Sequence, residues 1–469
     1  MRCVESAQRP SRTLSAFAAL TLLLFVPAGC SALLAREPDL ERLYAAHAAR
    51  PRTPVIVIPG VFGSRLHDRE SGREVWPGNP LDLITGRGLR HLELSVPGSE
   101  ARRVGDRLDP GDLFFEAFGR DYYRDILATL SGPGGYRCIP SSELEEDTRD
   151  ADCVMLAWDW RRDLVSAAGE LDGVIRKLRT LRGDPRLRVD IVAHSAGGLV
   201  ARYFLRFGDV DVLDRDDPSP ILDAGSAGAV RKLILIGTPN YGSVSALQGA
   251  IMGNSVGLSS MRPELLATMP SMFELFPNPN RTWMIDAHGR RLDVDLYDVE
   301  VWRRYEWSIF DPEIRERIRA ASSGPAEASR RLRERERFFA SALTRGRRFH
   351  RALSTPLDQS TTEYVVFGGD CELTPARCLL EEVDGHMMVR LHPREVRARV
   401  PGVDYDALML EPGDGRVTKA SLLARDSLSP DAARPGFFPI SYAVFICRSH
   451  ADLPSDITFR DNLLNILLY

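Results

Sequence analysis

Lysine is almost missing from this chain. Of 61 Lys and Arg residues only Lys177, Lys232 and Lys419 are lysines, and 65 acidic residues leave a formal net charge of −4. That near-neutral balance lacks the basic excess that phosphate binding requires, so nucleic acid is not an expected partner. The preference for Arg is compositional rather than functional. No internal repeat is visible, and no low-complexity tract is long enough to form a disordered domain. No Cys/His spacing fits a zinc site, so neither a metal nor a cofactor is expected. What is there is ordinary: 44% hydrophobic and 27% charged residues over 469 positions. This is enough for one large α/β domain with insertions, or for two or three domains.

The N-terminus stands apart. Arg2, Arg9 and Arg12 precede the apolar run "LSAFAALTLLLFV", followed by "PAGCS". A basic region, a short apolar stretch and small residues make a secretory signal, and the run is too short for a membrane span. Gly29-Cys30 resembles a lipoprotein cleavage site, although Pro27 departs from that pattern. The reading is therefore a signal at residues 1–29, a lipidated Cys30, a tether at 30–52 and the main domain at 53–469. The expected location is the cell envelope, at the outer membrane or in the periplasm, with the membrane surface as a partner. Export permits disulfides. Cys371 and Cys378 bracket "CELTPARC" and are a candidate pair, Cys138 and Cys153 flank an acidic loop, and Cys447 in "YAVFIC" reads as a buried free thiol. The alternative is that all five are reduced core residues.

Six apolar runs read as buried strands: "PVIVIPG", "CVMLAWDW", "LRVDIVA", "RKLILIG", "TEYVVFGG" and "SYAVFIC". Continuous apolar strands alternating with helices imply a mostly parallel sheet covered on both faces. Two tracts break the alternation, at about 64–135 and 241–360, and read as cap insertions. The second holds an arginine-heavy helix.

One stretch carries chemistry. In "DIVAHSAGGLVARYF", Ser195 sits where a strand turns into a helix. The nucleophile elbow has the form G-x-S-x-G in that context, with small residues letting the tight turn fit. Here Ala193 takes the place of the first Gly. The competing reading is a helix N-cap serine. A nucleophilic serine needs a base, and in this fold class the order is Ser, acid, His. His194 should point away from its neighbour. His386 and His392 suit a surface, and His288 falls in the cap. His450, between the last strand and the final helix, is the candidate base. For the acid, Asp414 in the Gly-flanked turn "EPGDGRV" is preferred to Asp370, which ends "VVFGGD". The oxyanion hole should use the N–H of Ala196 and one from "PGVFGS", for which Val61 is the choice and Phe62 the fallback.

These pieces together resemble the lecithin–cholesterol acyltransferase family, which includes phospholipid:diacylglycerol acyltransferases and a lysosomal phospholipase. The matching stretches, in the family's order, are "PVIVIPGVFGSRL", "AWDWR", "AHSAGGL", "LIGTPNYGS", "MPSMFELFP", "GDGRVTKASL" and "SHADL". They run from about Thr53 to the C-terminus, and the whole looks like a bacterial, lipoprotein-like member. The resemblance implies an α/β-hydrolase fold with large cap insertions and a triad of Ser195, Asp414 and His450. It also implies a phospholipid or other lipid ester as acyl donor and a lipid alcohol as acceptor. Trp76 falls where the family places lid residues, while Cys138 and Cys153 lie too late for its lid disulfide. Asp159 and Arg161 in "AWDWR" look like a loop-bracing pair. Met269, Met272, Phe273 and Phe276 are candidates for holding an acceptor, or else they fill the cap. Two further readings stay open: a general carboxylesterase for small substrates, and a non-catalytic module of the same fold that binds lipid or a partner.

Overall fold

A computed structural model describes residues 37–47, 51–216, 218–220, 228–256, 259–356, 361–425 and 439–469, apart from 80–81, 83–84, 87, 99–102, 115, 118–119 and 122. The signal sequence and Cys30 lie outside the described residues. Seven strands form the central sheet: β1 (Val55–Ile58), β2 (Cys138–Pro140), β3 (Cys153–Met155), β4 (Val189–His194), β5 (Val230–Ile236), β6 (Glu363–Gly369) and β7 (Ile440–Ile446). Their order is β7-β6-β5-β4-β1-β3-β2, and every pairing is parallel. All six strands read from the sequence are there. The seventh, "CIP", is too short to have been read.

Alternation along the strands divides the core in two. Ile56, Ile58, Ile191, Ala193, Leu233 and Leu235 face one side, against α2 (Leu164–Arg182) and α3 (Ala196–Phe207). Val55, Val57, Val192, Ile234, Ile236 and Phe367 face the other, against α1 (Arg124–Ser131) and α5 (Ile457–Leu468). Both faces being covered explains why the strands are apolar throughout. Asp163 caps α2 by accepting from the Val165 N–H, and Gly183, at φ 62°, ends it. A parallel sheet with helices on both faces and a strand–turn–helix at the end of β4 is the α/β-hydrolase fold.

The tract after β1 holds a three-stranded antiparallel sheet of Ser64–Asp68, Glu74–Trp76 and Leu108–Leu113. The tract after β5 holds short helices and then α4 (Pro325–Leu353). Met269, Met272, Phe273 and Phe276 are at most 5% exposed. Phe273 packs edge-on against Phe339, and Phe276 stacks on Trp302. All four are core residues, as the second reading of them expected, and the rings of Phe273 and Phe276 are packed against other rings. Among the described residues no helix is long and apolar enough to cross a membrane.

The cysteines also differ from expectation. Cys138 bonds Cys153 across the paired strands β2 and β3. Cys371 bonds Cys447, not Cys378. Strands β6 and β7 are neighbours, so residues just past their ends meet, with Cα atoms 5.1 Å apart. Cys447 is exposed and oxidised rather than a buried thiol. β7 is an edge strand, and its apolar sequence does not bury its end. Cys378 is the buried free thiol, on a strand against Met284.

Candidate active site

Strand β4 ends at His194, and the chain reverses at Ser195 with φ 53° and ψ −124° before α3 begins. This is a sparsely populated conformation for a non-glycine residue. It is anchored by the Ser195 N–H, which donates to Ile236 O at 2.8 Å on β5. The close packing behind it needs small residues. A Cβ on Gly197 would lie 2.6 Å from the carbonyl oxygens of Ile58 and Pro59. Ala193 is fully buried in β4, so the methyl that replaces the elbow's first glycine is accommodated.

The Ser195 side chain makes no capping hydrogen bond to α3. Its Oγ lies 3.0 Å from His450 Nε2, and His450 Nδ1 lies 2.8 Å from Asp414 Oδ2. The structure thus brings the three chosen residues together. Asp414 is 2% exposed. Its Oδ1 accepts from the backbone N–H groups of Arg416 and Val417, at 2.9 and 2.7 Å. Burial acts to raise its carboxyl pKa, but the His450 charge, the His450 hydrogen bond and these two N–H groups outweigh burial and hold it below the ordinary carboxylate value. An ionised Asp414 accepts from Nδ1–H, which leaves the Nε2 lone pair facing the serine hydroxyl. Asp370, the rival carboxylate, pairs instead with Lys419 Nζ at 3.1 Å.

The loop after β1 lies against Ser195. A Cβ on Gly60 would be 2.7 Å from Ser195 Cβ. Every turn of this loop is held. The indole N–H of Trp158 donates to Pro59 O, that of Trp160 to Ser64 O and that of Trp76 to Phe62 O, at 3.0, 3.1 and 2.9 Å. Trp76 is therefore a buried brace of this loop, 5.4 Å from the Trp160 ring. Arg161 pairs with Asp159 at 2.7 Å and reaches Leu92 O, so that pair does brace loops. The N–H groups of Val61, Phe62 and Ala196 have no partner among the described residues, leaving both Val61 and Phe62 available to an anion beside Ser195.

Sequence reasoning missed Tyr123 and left His194 without a part. His194 does point away from Ser195, but its Nδ1 is 2.9 Å from Tyr123 Oη and its Nε2 is 3.2 Å from His450 O. Tyr123 Oη also accepts from the Gly60 N–H at 2.9 Å. No spacing marks Tyr123, because its partners lie far along the chain. His386, which opens the strand His386–Arg390, is exposed, and His392, just beyond that strand, is half-buried. Arrangements of this kind transfer acyl groups: a hydroxyl, an oriented base and free N–H groups converge on one point.

Among solved structures, a Tle4–Tli4 complex is 16% identical, with a TM-score of 0.48, covering 88% of this chain and 98% of that one. The Staphylococcus hyicus lipase is 12% identical, TM-score 0.37, covering 92% and 96%. EstA from Clostridium botulinum is 11% identical, TM-score 0.37, covering 89% and 87%. Among curated proteins nothing matches. The sequence model of the lecithin:cholesterol acyltransferase family matches residues 148–315. Over that segment, which carries Ser195 and its elbow but neither Asp414 nor His450, the chain is similar to the lecithin:cholesterol acyltransferase family.

Proposed function

We propose that this protein is a serine-dependent enzyme that transfers acyl groups from lipid esters, with Ser195 as nucleophile, His450 as base and Asp414 as orienting acid. The observation that carries this reading is the hydrogen-bonded chain Ser195–His450–Asp414. Ser195 Oγ attacks the ester carbonyl carbon as His450 Nε2 takes the hydroxyl proton. The carbonyl electrons move to oxygen, where the N–H groups of Ala196 and Val61 receive the negative charge; one such donor is worth about 10²- to 10³-fold in rate. The C–O bond to the leaving alcohol breaks as His450 returns the proton to it. An acyl-Ser195 ester remains, and water or a lipid alcohol, deprotonated by His450, resolves it.

The family match over residues 148–315 supports a phospholipid or related ester as donor. Transfer to an alcohol is the finer part of the reading. An acceptor competes with water only if it is held in attack geometry, where effective molarities on the order of 10⁵ M arise. With phospholipid vesicles alone the enzyme should release free fatty acid. Added diacylglycerol, sterol or long-chain alcohol should divert acyl groups into new ester, at unchanged total turnover when acylation is rate-limiting. Free fatty acid as the sole product under all three would make it a hydrolase. We also infer export and lipidation at Cys30, which intact-mass spectrometry of protein from native membranes checks: a mature form without lipid on Cys30 contradicts it.

A further inference from the structure

The contacts between Tyr123, His194 and the two loops that flank Ser195 have only one consistent arrangement of protons. The carbonyl oxygen of His450 can only accept, so His194 Nε2 carries the proton in that 3.2 Å contact. A neutral imidazole has one N–H, so Nδ1 is an acceptor, and Tyr123 O–H donates to it across 2.9 Å. The Tyr123 oxygen then accepts from the Gly60 N–H. The series runs from the loop after β1, which touches Ser195, through Tyr123 and His194, to the backbone of the base. Tyr123 and His194 are 2% and 7% exposed, so water does not substitute for a missing link at low cost.

Resting on the reading of Ser195 and His450 above, we propose that Tyr123 and His194 are positioning residues that fix the loop carrying the second oxyanion donor relative to His450. Burial, with the charge of His450 adding to it, lowers the His194 pKa to about 3. The ring therefore stays neutral while His450, whose ring is 4.9 Å away, takes up the serine proton. A second positive charge there would oppose that transfer. An incidental core histidine would be satisfied by any two partners. Here one partner hydroxyl also holds Gly60, and the other partner is the base's own carbonyl.

The test uses the whole protein with Tyr123→Phe, His194→Ala, His194→Gln and the Tyr123→Phe/His194→Ala double variant. Thermal melts and circular dichroism report folding. Labelling of Ser195 by a fluorophosphonate and steady-state hydrolysis of a p-nitrophenyl ester report function. Tyr123→Phe and His194→Ala should each lower kcat about ten- to a hundredfold, as small displacements of reacting groups do, with KM nearly unchanged. His194→Gln should recover most of what His194→Ala loses, because its amide N–H still reaches the His450 carbonyl. The double variant should be no slower than the slower single. Independently, the ¹⁵N shifts of wild-type His194 should show the Nε2–H tautomer throughout about pH 5 to 8, the range in which a free histidine titrates. Folded variants with wild-type rates, Gln no better than Ala, or losses that multiply in the double variant would overturn the proposal. So would a titrating His194 or the Nδ1–H tautomer. If wild-type Ser195 takes no label, the catalytic reading fails, and the nitrogen shifts alone decide the proton order.

Discussion

Two carboxylates, Asp414 and Asp370, competed for one role in the sequence, and their surroundings separate them. Asp414 is buried and accepts from His450 and two backbone N–H groups, whereas Asp370 faces Lys419. Asp414→Asn should therefore lower kcat by roughly 10⁴, through the wrong histidine tautomer, while Asp370→Asn stays near wild type. Ser195→Ala and His450→Ala should each abolish turnover, and combining them should cost nothing further, because members of one triad are not additive. Steady-state rates check this, and a dead Asp370→Asn beside an active Asp414→Asn would reverse the assignment. Ser195, Asp414 and His450 were legible because each has a local signature: an elbow, a Gly-flanked turn and a loop after the last strand. Tyr123 has none. Its role comes from contacts 63 and 71 positions away, which no local pattern encodes.

The elements that place these residues are a strand–turn–helix, a braced loop and a disulfide. The loop after β1 has no room for a side chain at Gly60, where a Cβ would press on Ser195 Cβ at 2.7 Å. Gly60→Ala should lower kcat about a hundredfold or more by shifting the loop, with little change in KM; unchanged kcat would show that the loop does not serve Ser195. The Cys371–Cys447 bond closes a 76-residue separation that contains Asp414 and ends three residues before His450. Replacing both cysteines by serine should cost about 2–4 kcal/mol in urea unfolding, and an unchanged midpoint would contradict this. This pairing was illegible because proximity in sequence favoured Cys378, whereas strand neighbourhood decides. β6 and β7 are adjacent in the sheet although far apart in the chain. The strands themselves were legible from unbroken apolar runs, which the two-sided burial of the sheet demands.

At the scale of the molecule, arginines of α4 fasten the tract after β5 to the tract after β1 and to the hydrolase core. Arg335, 6% exposed, pairs with Glu93 and donates to Glu264 O at 2.6 Å, and Arg345 joins Asp163, the cap of α2, to Asp211. The arginine-heavy composition of this helix was evident in the sequence, but not that Arg335 joins it to the tract after β1 and Arg345 to the core. Arg335→Ala leaves Glu93 without this partner and should cost about 3 kcal/mol in urea unfolding; a loss near zero would mean that the tracts after β1 and β5 are held together by packing alone. The apolar residues of "MPSMFELFP" were equally visible, yet composition did not reveal which surface they face. They are buried in the main core together with residues of the sheet, so the proposed transfer to an alcohol would need other side chains to hold its acceptor.

The central claim is that acyl groups pass through an ester on Ser195, and the most direct measurement is peptide mass spectrometry of the protein after a short incubation with a fluorophosphonate. The account predicts one stoichiometric adduct, on the peptide that contains Ser195. It should be absent in Ser195→Ala and strongly slowed in His450→Ala. An adduct on any other residue, or none on folded wild-type protein, would contradict it.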